Sequence, residues 1–237
     1  MHTGGQAVAL AVKRTVRRTL GHSKVRRIKS MRTRLSASLN VGPWRRPGLE
    51  GMDVLLADAL AWQRDGTFLE LGGNDGFQAS NTYLLERELG WRGVLIEAIP
   101  QLAAEARHNR PLATVVCAVA SGSTRASIVG MDDQDLTSKV TDGAGSVLVA
   151  TTTLSTVIDL ANDGCAPDLL SIDVEGHEAE VLAGLDLKRH RPQWILVETD
   201  HPRDIGDLLG PYALVAQLSH HDYLFALQAP AGGGSAS

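Results

Sequence analysis

Apolar residues recur every three or four positions through the first forty residues: Val8, Val12, Val16 and Leu20, then, past Gly21, Val25, Ile28, Met31 and Leu35. This spacing predicts two short amphipathic helices. Residues 40–51 (NVGPWRRPGLEG) have the proline and glycine density of a linker. Beyond it the pattern changes to compact apolar runs alternating with helical spacing. Met52–Trp62, Ser80–Leu89 and Gln101–His108 read as helices. Residues 67–71 (TFLEL), 93–99 (GVLIEAI), 114–120 (TVVCAVA), 168–173 (DLLSID), 193–199 (QWILVET), Tyr212–Leu218 and Tyr223–Gln228 read as strands. Near-continuous apolar strands separated by helices predict an α/β fold, a parallel sheet covered on both faces. The last two strands are too close for a helical crossover, so one of them should run antiparallel.

The pattern divides the chain into a helical extension with its linker (1–46), an α/β domain (47–228) and a flexible glycine-rich tail (229–237). Gly130–Gly145 is the longest weakly patterned stretch inside the domain. It predicts a surface loop or a lid over a ligand site. Asp132, Asp133 and Asp135 lack the glycine and distal glutamate that a calcium loop requires.

Composition alters this picture at one point. The 237 residues are 43% hydrophobic and 21% charged, which excludes general disorder, collagen-like repeats and a disulfide scaffold. No run approaches the roughly 18 apolar residues of a membrane span. Residues 1–46 hold 12 of the 23 Lys and Arg and none of the 27 Asp and Glu, leaving the remaining 191 residues at −16. The basic segment is compatible with packing on the acidic body or on a second subunit of a homodimer. Peripheral contact with an anionic membrane and a cleaved, Arg-rich targeting segment also stay open. Nucleic acid is not an expected partner, because the body would repel a phosphate backbone. Cys117 and Cys165, both in apolar segments, suggest a reducing, cytoplasmic compartment.

Candidate chemistry lies at strand ends, where ligands bind in open α/β sheets. Glu70-Leu71-Gly72-Gly73-Asn74-Asp75-Gly76 follows the first strand and precedes a helix, and its glycines permit a tight turn close to a ligand. Glu97 ends the second strand, where a carboxylate can accept hydrogen bonds from both hydroxyls of a ribose. The loop lacks the GxGxxG of dinucleotide sites, and Asp75 stands where a pyrophosphate would be repelled. A ligand with an amine and a sulfonium, S-adenosylmethionine, suits such a loop better than NAD.

A second cluster, Asp173-Val174-Glu175-Gly176-His177-Glu178, ends the fourth parallel strand. Asp173 closes a buried strand and therefore needs a partner. His177 shares a helical face with Val181 and Leu185, as a base or as a structural histidine. Glu175 and Glu178 are alternatively helix-capping acids. Glu198 and Asp200, after the fifth strand, could join Asp173 around a divalent ion such as Mg²⁺.

These segments resemble the FkbM family of S-adenosylmethionine-dependent methyltransferases. The likeness is carried by FLELGGNDGFQASNTYLLERELGWRGVLIEAIP and PDLLSIDVEGHEAEVLAGLD, within Thr67–Val197. It implies a class I methyltransferase, Rossmann-like fold with a seven-stranded, mostly parallel sheet whose last strand is antiparallel. It implies that Glu70, Gly72, Asn74 and Gly76 cradle the methionine part of the cofactor, with Ser80 and Asn81 on the cofactor side. By the same likeness Glu97 holds the ribose, Ala118 meets the adenine and Asp173 lies beside the methyl donor. The sequence departs from the family at Gly73, usually alanine, and at Ala98-Ile99 of IEAIP, where many relatives have IEPNP. The activity so implied is O-methylation of a hydroxyl, with Asp173 and His177 the catalytic candidates and His177 the leading base. A sugar of a polysaccharide, glycolipid or glycosylated natural product is the favoured acceptor, with metal assistance. A polyketide hydroxyl is the alternative, and a non-catalytic binding module or a nucleic-acid binder belongs to other classes.

Overall fold

Four consecutive buried residues, Phe68 to Leu71, make strand β1 (Thr67–Leu71) a central one, because only a sheet covered on both faces buries a whole strand. The structure, a computed structural model, describes residues 47–125, 127–132, 139–141 and 147–229. The expected helices of 1–46 and the tail beyond Ala229 lie outside the described residues, as do 133–138 and 142–146.

Around β1 stand β2 (Arg92–Glu97), β3 (Thr114–Cys117), β8 (Leu169–Ile172), β9 (Trp194–Glu198), β10 (Tyr212–Gln217) and β11 (Asp222–Leu227). They form a seven-stranded sheet in the order β10-β11-β9-β8-β1-β2-β3. The pairs from β3 through β9 are parallel, while β11 runs antiparallel to both β9 and β10. This is the mostly parallel class I sheet that the sequence implies, its final strand reversed.

Alternation along β1 feeds two cores. Leu69 and Leu71 join Val94, Ile96, Leu170 and Ile172 on one face; Phe68 joins Leu95, Leu169 and Leu196 on the other. Helices α1 (Met52–Ala59) and α2 (Tyr83–Leu89) cover the Phe68 face. Helices α4 (Leu154–Ala161), α5 (Glu178–Ala183) and α6 (Pro202–Leu209) cover the Leu69 face. Helix α3 (Pro100–Asn109) follows β2.

The register of β1 against β8 is pinned at their lower end. Asp168 Oδ2 accepts from Thr67 N (2.7 Å) and Thr67 Oγ1 (2.9 Å), and Thr67 Oγ1 accepts from Asp168 N (3.0 Å). Leu71 consequently pairs with Ile172, which sets Gly72 beside Asp173 at the upper end.

Three expectations need correction. The strand expected at 114–120 is broken: β3 stops at Cys117 and a separate β4 (Val119–Ala120) leaves the main sheet. With β5 (Ile128–Asp132), β6 (Lys139–Thr141) and β7 (Val147–Thr152) it builds a second sheet in the order β4-β7-β5-β6. The stretch around Gly130 is thus partly sheet, its buried side contributed by Val149 packing near Ile99 and Leu102. The helix expected from Ser80 begins at Tyr83, because Ser80, Asn81 and Thr82 direct their polar groups to Glu70 instead.

Candidate active site

In the sheet, the order reverses between β1 and β8: the chain proceeds outward through β2 and β3, then returns to the other side of β1. Carboxyl ends of strands at such a switch point leave a crevice. Here it is a cavity of about 270 Å³. Gly72, Asn74, Gln78 and Ala79 form one wall and Glu97 stands at the end of β2. Ala98, Leu102, Ala118 and Val119 supply an apolar slot, and Asp173, Glu175, His177 and Glu180 close the side beneath β8 and α5.

The loop after β1 owes its shape to two glycines with φ near +76°. A Cβ on Gly72 would lie 2.1 Å from the Asp173 carbonyl oxygen; on Gly76 it would lie 2.9 Å from Arg110 Cγ and 3.1 Å from Ala106 Cα. Between them Asn74 takes the left-handed conformation (φ 48°), donating its N–H to Glu97 Oε2 at 2.8 Å. Glu97 Oε1 accepts from Ile99 N at 2.7 Å. Both oxygens are thereby oriented by backbone donors.

The structure brings Gly72, Asn74, Glu97, Ala118, Asp173 and His177 to one cavity. It places Glu70, Gly76, Ser80 and Asn81 behind the loop. The Glu70 carboxylate, 3% exposed, accepts from Ser80 Oγ (3.0 Å), Asn81 N (2.8 Å) and Thr82 Oγ1 (2.5 Å). Asn81 Nδ2 donates to Ser171 Oγ at 3.3 Å.

At the centre of this network sits Arg110, a buried residue that sequence pattern did not reveal. It donates to Glu86 Oε2 (2.9 Å), Ser80 Oγ (3.1 Å), Thr82 Oγ1 (3.0 Å) and the Gly76 carbonyl (3.2 Å), and lies 3.9 Å from Glu70. The ring of Phe68 lies 5.2 Å from its guanidinium carbon. Asp75 also needs correcting. Its carboxylate turns inward to accept from Phe77 N, Gln78 N and Gln78 Nε2, so the acidity of the cavity comes from Glu97, Asp173, Glu175 and Glu180 rather than from the loop.

Burial pushes the Asp173 carboxyl well above the usual range, and Glu198, hydrogen-bonded to it, pushes further, with Glu175 and Asp222 adding to the effect. Two carboxyls in contact cannot both ionise cheaply. Asp173 therefore holds its proton more tightly than an ordinary carboxyl. Burial first, and then Glu198, also raises Asp222, the residue paired with Glu198 across β11.

The expected trio around a divalent ion does not assemble. Asp200 Oδ1 meets His221 Nδ1 at 2.8 Å, and Asp173 and Glu198 engage each other. Among the described residues no group of three ligating side chains comes together. Glu178 is a capping acid, its Oε1 accepting from Gly176 N at 2.8 Å. His177 opens α5 with its side chain 39% exposed and Nδ1 3.5 Å from Glu180 Oε2. Glu180 escaped the sequence reading, although its position three residues after His177 on a helix start was visible. Among the described residues no helix is long and apolar enough to cross a membrane.

Residues 70–226 match a family described as the methyltransferase FkbM domain. An FkbM methyltransferase structure from Methylobacillus flagellatus KT is similar at 14% identity and a TM-score of 0.46. That alignment covers 69% of this chain and 44% of the other, so the chain spans less than half the length of that relative. A TehB-like SAM-dependent methyltransferase from Corynebacterium glutamicum is 14% identical over 85% of this chain and 97% of its own, with a TM-score of 0.44. A SAM-dependent methyltransferase from Geobacter sulfurreducens, in complex with S-adenosylhomocysteine, is 14% identical over 77% and 71%, with a TM-score of 0.42. No curated protein matches the sequence. Because the matched domain takes in about two thirds of the chain, including the loop after β1, Glu97 and Asp173, the chain belongs to the FkbM methyltransferase family.

Proposed function

We propose that the cavity binds S-adenosylmethionine and that the protein methylates a hydroxyl oxygen, with a sugar as the favoured acceptor. The observation that carries this reading is Glu97. Its carboxylate, held by Asn74 N and Ile99 N, faces the cavity beside the apolar slot of Ala98, Leu102, Ala118 and Val119. A carboxylate acceptor beside a flat apolar slot fits the diol and base of an adenosine. Gly72 and Asn74 would hold the amino-acid end, and Asp173 would stand near the reacting centre.

When bound, the cofactor supplies an electrophilic methyl group, its carbon–sulfur bond breaking as the oxygen–carbon bond forms and the sulfur keeping the electron pair. The chain's own residues align the acceptor and remove its proton. Asp173, its carboxyl held above the usual range by burial and by Glu198, lines the cavity near the reacting centre and hydrogen-bonds there. His177, which lines the same cavity, is the base that takes the acceptor's proton.

The test is incubation with S-adenosylmethionine and a panel of neutral methyl glycosides, following S-adenosylhomocysteine release and the mass of the sugar. Mono-methylated sugar formed by the wild type and lost in Asp173→Ala supports the reading. Methylation of a polyketide hydroxyl but of no sugar would replace the acceptor, and no methyl transfer to any hydroxyl would remove the activity.

A further inference from the structure

The side of the cavity formed by α5 and the end of β4 contains a chain of polar groups of which the methyl-transfer reading employs only His177. His177 Nδ1 lies 3.5 Å from Glu180 Oε2, and Glu180 Oε1 accepts from Ser121 Oγ at 3.3 Å. All three residues line the cavity. Ser121 is itself fixed: its N–H donates to the Thr152 carbonyl (2.8 Å), and its Oγ accepts from Ser123 N (3.2 Å). The hydroxyl proton of Ser121 is thus committed to Glu180.

Two glycines allow these segments to meet. A Cβ on Gly122 would lie 2.9 Å from the Glu180 carbonyl oxygen, and one on Gly184 would lie 2.3 Å from the Ser121 carbonyl oxygen. The close seat of Ser121-Gly122 against α5 is a built feature, and it presents Ser121 to the Glu180 carboxylate. An acid in the first turn of a helix also has a purely structural use, because it complements the helix dipole. Helix spacing of three residues sets Glu180 alongside His177; what that spacing does not supply is the Ser121 hydroxyl on its other oxygen.

We infer that Glu180 is a positioning residue that fixes the tautomer of His177, with Ser121 steadying its far oxygen. The inference rests on His177 being the base. A carboxylate at Nδ1 selects the ring form protonated there and leaves the Nε2 lone pair to take a proton from the acceptor hydroxyl. The hydroxyl proton moves to Nε2, and Glu180 balances the imidazolium charge that results. Free neutral imidazole side chains favour the opposite form, protonated at Nε2, so the arrangement has a spectroscopic signature.

The test records ¹⁵N spectra of the histidine rings in full-length protein, at a pH where the rings are neutral, with the His177 signals assigned by His177→Asn. The wild type should show the Nδ1–H tautomer. Glu180→Ala should revert it to Nε2–H, and Glu180→Gln should retain Nδ1–H, because its amide oxygen can still accept. An Nε2–H ring in the wild type, or an Nδ1–H ring persisting in Glu180→Ala, overturns the assignment. S-adenosylhomocysteine titrated into the same samples tests the underlying reading separately. Absence of binding to the wild type removes the methyltransferase site and this role together; with binding present, the tautomer alone decides.

Discussion

Replacing Arg110 with methionine tests whether the loop after β1 is held from behind. The guanidinium is 0% exposed and its partner Glu86 only 9% exposed, so the ion pair is screened little by water. Methionine removes the bonds to Glu86, Ser80, Thr82 and the Gly76 carbonyl, and strands the Glu86 carboxylate in a buried position. Removing one member of a buried ion pair costs about 3–5 kcal/mol. That is a large share of the roughly 5–15 kcal/mol by which a domain is stable. Urea unfolding monitored by tryptophan fluorescence should show that loss, and S-adenosylhomocysteine affinity should fall with it because Gly76 is no longer tied. The double variant Arg110→Met with Glu86→Leu should regain part of the stability, since only Glu70, which keeps its bonds from Ser80, Asn81 and Thr82, then lacks its counter-charge. A single variant within about 1 kcal/mol of wild type, which is the value of a surface pair, would refute the reasoning. So would a double variant less stable than the single.

Gly72→Ala places a Cβ at positive φ against the Asp173 carbonyl, which forces the loop or β8 to shift. It should lower the thermal midpoint and weaken S-adenosylhomocysteine binding; an unchanged midpoint and affinity would mean the loop is looser than described. Asp168→Ala removes two hydrogen bonds to a carboxylate and should cost about 1.5–3 kcal/mol in urea unfolding. For Asp173 the sign follows from its raised pKa: the folded protein holds this proton more tightly than the unfolded chain. Stability is therefore lost as pH rises from the ordinary 3.8 toward the raised folded value. Asp173→Asn should remove that loss and gain on wild type as pH rises above the ordinary carboxylate range; parallel stability curves for the two proteins would contradict the raised pKa.

The strands of the main sheet were legible because each is an apolar run of nearly uniform burial. Phe68–Leu71 and Leu169–Ile172 are buried throughout, and their periodicity leaves little choice of partner. The second sheet was not legible, since Ile128 and Leu148 are exposed apolar residues on one face while Val149 is buried on the other. Such short, two-sided strands carry no alternation to read. In the cavity, Gly72, Asn74, Glu97 and Asp173 were readable because strand ends and turn residues mark them. Arg110 and Glu180 were not, because an arginine after a helix and a glutamate on a helix start are ordinarily solvated charges. Only the approach of α3 to the loop gives Arg110 its partners, and only the approach of β4 to α5 adds Ser121 to Glu180. The error over Asp75 has the same origin: sequence places its charge in the loop, and only the turn geometry aims it at Phe77 N and Gln78 N.

The central claim is that the cavity at the switch point is a nucleoside site gripped by Glu97. Calorimetric titration of the full-length protein with S-adenosylhomocysteine, beside Glu97→Ala, tests it most directly. The account predicts one site per chain with micromolar affinity, on the order of −8 kcal/mol, weakened in the variant by about 1.5–3 kcal/mol for the lost charged hydrogen bonds. No binding to the wild type, or equal binding to both proteins, would contradict it.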